Sequence, residues 1–72
     1  MFKYEILEKI CTISQENGFS LQLNVISFND RLPKYDLRRW DDQGEESRMS
    51  KGVSVSKNEL KALRDVLNRL DL

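Results

Sequence analysis

Residues 19–41 read FSLQLNVISFNDRLPKYDLRRWD, and the alternation within them decides the fold. Successive side chains of a strand point to opposite faces. Leu21, Leu23 and Val25 therefore fall on one side, and Gln22, Asn24, Ile26 and Phe28 on the other. This predicts a strand over Phe19–Phe28. Asn29-Asp30-Arg31 supplies the next turn, and Pro33 stands where a missing amide hydrogen is tolerated, at the start of a strand over Lys34–Asp41. There Tyr35 and Leu37 share one face, while Lys34, Asp36, Arg38 and Trp40 share the other. The expectation is one apolar core face and one open, mostly polar face that carries a Trp.

Toward the amino terminus, FKYEILEKICTIS (Phe2–Ser14) mixes apolar and charged residues with an imperfect period of two. The β-branched Ile6, Ile10 and Ile13 favour a strand, although Ile6-Leu7 breaks the alternation. Gln15-Glu16-Asn17-Gly18 then forms a turn, because Asn-Gly supplies the positive φ angles of a tight hairpin. Toward the carboxy terminus, Asp42-Gln43-Gly44-Glu45-Glu46 reads as an exposed turn running into a loop that ends near Ser50, followed by a short strand over Lys51–Val55. Ser56-Lys57-Asn58-Glu59 has the spacing of a capping box and starts a helix. Leu60, Leu63, Leu67 and Leu70, with Val66 beside them, repeat at helical spacing and form one apolar stripe for the core or for a dimer contact. The fold class is α+β: a four-stranded antiparallel sheet followed by one helix, ββββα, in a single domain over residues 1–72 with the helix laid on the apolar face.

A chain of 72 residues buries only about 60% of the surface its unfolded form exposes, so additional support is expected. One Cys and no His exclude an internal disulfide and a zinc site, which leaves a homodimer as the source. No metal or other cofactor is expected: the cluster Asp41, Asp42, Glu45 and Glu46 lacks the spacing of a calcium loop and reads as a solvated turn. No apolar run approaches the roughly 18 residues of a membrane span. Met1-Phe2-Lys3-Tyr4-Glu5 has no signal-peptide pattern, so a cytoplasmic location is expected. Enzymatic chemistry is not expected either, because the commonest general base near neutral pH is missing and Cys11 has no visible base to activate it.

The stretch that carries a function is Phe28–Trp40, FNDRLPKYDLRRW, where aromatic residues are interleaved with Arg31, Lys34, Arg38 and Arg39 against Asp30 and Asp36, locally basic in a chain of net charge 0. Single-stranded nucleic acid is bound by cations that follow the phosphates and by exposed rings on which bases stack. Phe28, Arg38 and Trp40 can offer both from one sheet face. A Trp on a strand equally suits a core or a dimer interface, and on spacing alone the two readings stand even.

The run LNVISFNDRLPKYDLRRW, followed after an acidic loop by MSKGVSVS and a helix, resembles the bacterial YdbC-like proteins, relatives of the eukaryotic transcriptional coactivator positive cofactor four. The likeness extends from about Phe2 into the final helix and is most specific over Pro33–Trp40 and Met49–Ser56. It implies a homodimer of ββββα subunits that binds single-stranded DNA with little sequence preference across curved sheets. The matching positions are Lys34, Arg38, Trp40 and Lys51, with Gly52 allowing close backbone approach. Phe28 stands where relatives carry Trp, and Arg31 is added from the local charge. The acidic loop Asp41 to Arg48 would repel phosphate if it lay over the groove. The implied partners are single-stranded DNA, a second copy of the chain, and transcription or DNA-processing proteins. A protein-interaction module, or an RNA binder, using the same aromatic and basic face is the alternative.

Overall fold

The computed structural model describes residues 2–72, and its elements are β1 (Tyr4–Glu16), β2 (Phe19–Phe28), β3 (Lys34–Asp41), β4 (Arg48–Val55) and α1 (Lys57–Arg69). The four strands form one antiparallel sheet in chain order, the ββββα arrangement that the alternation implies. β2 and β3 have the expected limits. β1 continues to Glu16 because the turn is confined to Asn17-Gly18, whose φ values of 53° and 79° are the two positive angles a two-residue hairpin requires. β4 begins at Arg48, earlier than the expected Lys51, since Arg48 and Met49 pair with Asp41 and Trp40 across a bulge.

The broken alternation of the first segment has a structural cause. The register of β1 on β2 slips between Ile6 and Glu8, between Lys9 and Cys11, and between Thr12 and Ser14. Leu7, Ile10 and Ile13 are thus left without a cross-strand partner, an apolar residue at every third position where the strand carries one residue too many. Each bulge bends the strand and raises its twist. Repeated bulges along an edge also keep that edge from pairing with another sheet.

The result is a strongly curled sheet. Tyr4 lies opposite Phe28 at one end of β2, and Trp40 lies opposite Ser20 at the other. At roughly 3.4 Å per residue, a flat β2 would hold these two ends about 27 Å apart. The rings of Tyr4 and Trp40 nevertheless approach to 5.8 Å between centroids. Even-numbered residues of β2 and β3 occupy the inner, concave side of the curl.

That concave side, expected to be open, is where the burial is concentrated. Ile26 and Trp40 are its buried apolar residues, and Ser20, Asn24 and Asp36 are buried beside them. Curling brings a strand's own polar side chains together, and here they bond to one another. Gln22 donates to Ser20 Oγ at 2.8 Å and Asn24 donates to Gln22 Oε1 at 3.2 Å, a ladder along β2 that leaves little unpaired. Leu21, Leu23, Val25, Tyr35 and Leu37, the expected core face, are only half-buried on the convex side.

The helix accounts for that difference. Its start is built as the spacing predicts, with Glu59 N donating to Ser56 Oγ at 3.1 Å and Ser56 N donating to Glu59 Oε1 at 2.8 Å. It touches the sheet chiefly at β3 and buries none of its residues. Leu23 and Tyr35 of the sheet and Leu60, Leu63 and Leu67 of the helix line an open groove between the two. Leu63, Val66, Leu67 and Leu70 stay exposed, so a single helix of this length does not cover the apolar side.

Candidate nucleic-acid interface

Two side-chain clusters organise the concave side, one hydrogen-bonded and one aromatic. The first is centred on Asp36, which is wholly buried in the middle of β3. Arg38 donates to both of its carboxylate oxygens, from Nε at 2.9 Å and from Nη2 at 2.9 Å, and Ser54 Oγ donates to Oδ2 at 2.8 Å from β4. A third donor, Nη1 of Arg38, reaches the carbonyl of Ser50 at 3.0 Å. The guanidinium is thereby fixed as a plane, and it lies 5.7 Å from the centre of the Phe28 ring. Three of its five N–H donors are engaged within the chain, and two remain for a ligand.

Gly52 makes this arrangement possible. It pairs with Arg38 across the β3–β4 ladder, and a Cβ at position 52 would lie 2.5 Å from Arg38 Cβ. The neighbour that requires a bare backbone at Gly52 is therefore Arg38 itself.

The second cluster is aromatic. Trp40 is 2% exposed, with Tyr4 tilted over it. Phe2 continues the group, its centroid 6.3 Å from Tyr4 and 6.0 Å from Phe28. Among the described residues, Trp40 Nε1 finds no acceptor although it is buried. The sequence pattern brings Phe28, Arg38 and Trp40 to one face, as the period of two requires, but Phe2 and Tyr4 did not emerge from it. Their signal was present as Phe2-Lys3-Tyr4, a second aromatic pair at strand spacing around a cation. It was hidden because nothing local reveals that the bulged strand folds back over Trp40.

The remaining candidate cations are peripheral. Lys34, Arg31 and Lys51 are exposed, Lys34 at the start of β3, Arg31 in the β2–β3 turn and Lys51 in β4. Charge is distributed unevenly along the face. At the Trp40 end, the Ser47 hydroxyl, joined by that of Ser20, holds the Asp42 carboxyl below the usual range, in the loop that also carries Glu45 and Glu46. Lys34 and Arg31 lie at the opposite end of β3, beside Phe28. The helix stripe Leu60, Leu63, Val66, Leu67 and Leu70 lies apart from the concave side, along the helix. Among the described residues, no three or more His, Cys, Asp or Glu side chains are grouped to hold a metal, and no helix is long and apolar enough to cross a membrane.

Residues 16–66 match the family model described as Transcriptional Coactivator p15 (PC4), a span that holds β2, β3 and β4 whole. The chain belongs to this family. It is also 44% identical over 72 residues to an uncharacterized protein of Treponema pallidum (strain Nichols), covering 99% of this chain and 82% of that protein. The Asp36–Arg38 cluster, Phe28 and Gly52 all lie inside the family-matched span, whereas Phe2 and Tyr4 precede it.

Proposed function

We propose that this chain is a non-enzymatic, sequence-tolerant single-stranded DNA-binding protein that works as a homodimer in transcription or another part of DNA metabolism. The observation that carries the reading is the concave aromatic and cationic face of a coactivator-family chain: Phe28 under a fixed guanidinium, Trp40 packed against Tyr4, and the exposed cations Arg31 and Lys34 at the Phe28 end. Lys34, Arg31 and Lys51 meet phosphates, and Arg38 adds its two unengaged donors. Phe28 presents a ring to the bases, with Trp40 as the buried part of the same aromatic group. Gly52 keeps the backbone bare where Arg38 and the strand approach. Rings and phosphate contacts distinguish bases poorly, which accounts for sequence tolerance.

A second copy of the chain is the occupant of the convex side. Ile26 and Trp40 are the buried apolar residues, while the Leu63–Leu70 stripe and the groove beside it lie exposed. A two-fold pairing of helix stripes is self-complementary and covers both at once.

The test is a titration of a labelled single-stranded oligonucleotide with the protein, followed by anisotropy. If each chain neutralises the three phosphates opposite Lys34, Arg31 and Lys51, log affinity against log salt falls with a slope of about −2 per chain, at roughly −0.7 per phosphate. Binding that ignores salt, or that prefers duplex, would refute the reading.

A further inference from the structure

Resting on the single-stranded DNA reading above, we propose that Phe2 and Tyr4 are the ring faces on which unpaired bases stack, with Trp40 serving as the support beneath Tyr4. Accessibility argues for this. A base can stack only on a ring with a free face, and Trp40 has almost none at 2% exposure. Tyr4 is 39% exposed and Phe2 is 62% exposed. The two rings join Phe28 in one continuous row, with neighbouring centroids 6.0 to 6.3 Å apart.

Two exposed rings near a strand's beginning would be of little use if they moved freely. Here they are held. Lys3, between them, donates its backbone N–H to Asn29 Oδ1 at 2.9 Å and accepts from the Asn29 N–H at 2.9 Å. Asn29 and Asp30 adopt the left-handed turn, with φ of 51° and 61°, that aims these groups at Lys3. The turn is closed by Arg31 N donating to the Phe28 carbonyl at 2.9 Å, and by Ser27 Oγ donating to the Arg31 carbonyl at 2.6 Å. The same short turn thus fixes the aromatic pair and places the Arg31 backbone beside it. Ordering rings before the ligand arrives reduces what binding must overcome.

Charge favours this end as well. The anionic loop that follows β3 lies at the Trp40 end of the sheet, whereas Phe28, Arg31 and Lys34 lie at the other. A polyanion seated on the face is pushed away from the loop at the Trp40 end and toward Phe2 and Phe28.

The experiment compares the full chain with Phe2→Leu and Tyr4→Leu, using labelled oligothymidylate and an abasic oligomer with the same number of phosphates. Circular dichroism establishes that each variant is folded, and Phe2→Leu, at an exposed position, keeps the test valid if loss of Tyr4 disturbs Trp40. Each variant is expected to bind oligothymidylate about 5- to 150-fold more weakly, the loss of one stacked base, with an unchanged salt slope. Binding of the abasic oligomer is expected to stay as in the parent chain. Folded variants that bind oligothymidylate like the parent would overturn the assignment and leave the DNA-binding reading standing. An equal loss on both oligomers would also overturn it, because the rings would then act on something other than bases. A parent chain that binds neither oligomer removes the DNA-binding reading itself, and this inference with it.

Discussion

Replacing Trp40 with Ala separates a supporting ring from a surface one. The side chain is 2% exposed and packed against Tyr4, so truncation leaves a cavity under the concave face. Truncating a buried Phe or Trp to Ala costs about 3–5 kcal/mol. A domain of 72 residues has about 4–11 kcal/mol of stability in all, so the loss takes a large share of it. In a domain of this size each kcal/mol shifts the melting point by about 4–8 °C, which places the fall at ~12 °C or more. Urea unfolding followed by far-ultraviolet circular dichroism, at one fixed protein concentration, measures it without relying on the lost indole. Trp40→Phe is the companion variant: it keeps a ring under Tyr4 and removes the indole N–H that has no acceptor, so its loss is well under half that of Trp40→Ala. A Trp40→Ala loss within about 0.5 kcal/mol, the range of ordinary surface substitutions, would refute the packing argument.

Gly52→Ala puts a Cβ 2.5 Å from Arg38 Cβ, and the overpacking is expected to cost about 1–3 kcal/mol in the same urea assay; unchanged stability would mean that Arg38 is free to move. Leu67→Asp, on the exposed helix stripe, is expected to give a monomer by sedimentation with its helix content intact, and a sedimentation mass equal to that of the parent chain would remove the helix from the proposed dimer contact. Hydrogen bonds from the Ser56 backbone N–H and hydroxyl, with the nearby Lys34 charge, hold the Glu59 carboxyl below its usual value of 4.5. A depressed carboxylate contributes stability that is fully present above the unfolded value and is lost as pH falls through the lower folded one. Protection of the amides in the first turn of α1, measured as the ratio of intrinsic to observed exchange rate, is therefore expected to fall only as the pH drops below about 4.5; a helix start equally protected at low pH would contradict the capping role.

How far the fold could be read before the structure depended on how local the cause was. The alternation of Leu21, Leu23 and Val25 against Gln22, Asn24 and Ile26, the Asn17-Gly18 turn and the Ser56/Glu59 box are each settled within a few residues, and each appears where the pattern puts it. The direction of curl is different. It follows from three successive bulges at Leu7, Ile10 and Ile13, whose spacing of three reads locally as a flawed alternation. Once the sheet curls, the polar face becomes the inner one, which is why Asn24 and Asp36 are buried while Leu21 and Leu37 are only partly covered. The site shares this limit. Asp36, Arg38 and Phe28 could be placed on one face by counting, but the Tyr4 ring that closes over Trp40, and the Phe2 ring that joins it to Phe28, come from contacts no local pattern shows.

The central claim is that the concave face takes unpaired DNA. Because Trp40 is covered, its emission is a poor reporter, and the direct measurement is the anisotropy of a labelled oligothymidylate titrated with the parent chain at low and at moderate salt, with the matching duplex as competitor. Binding is expected to be saturable, to weaken with salt and to yield little to the duplex. Binding that is absent, indifferent to salt, or displaced by duplex as readily as by single strand would contradict it.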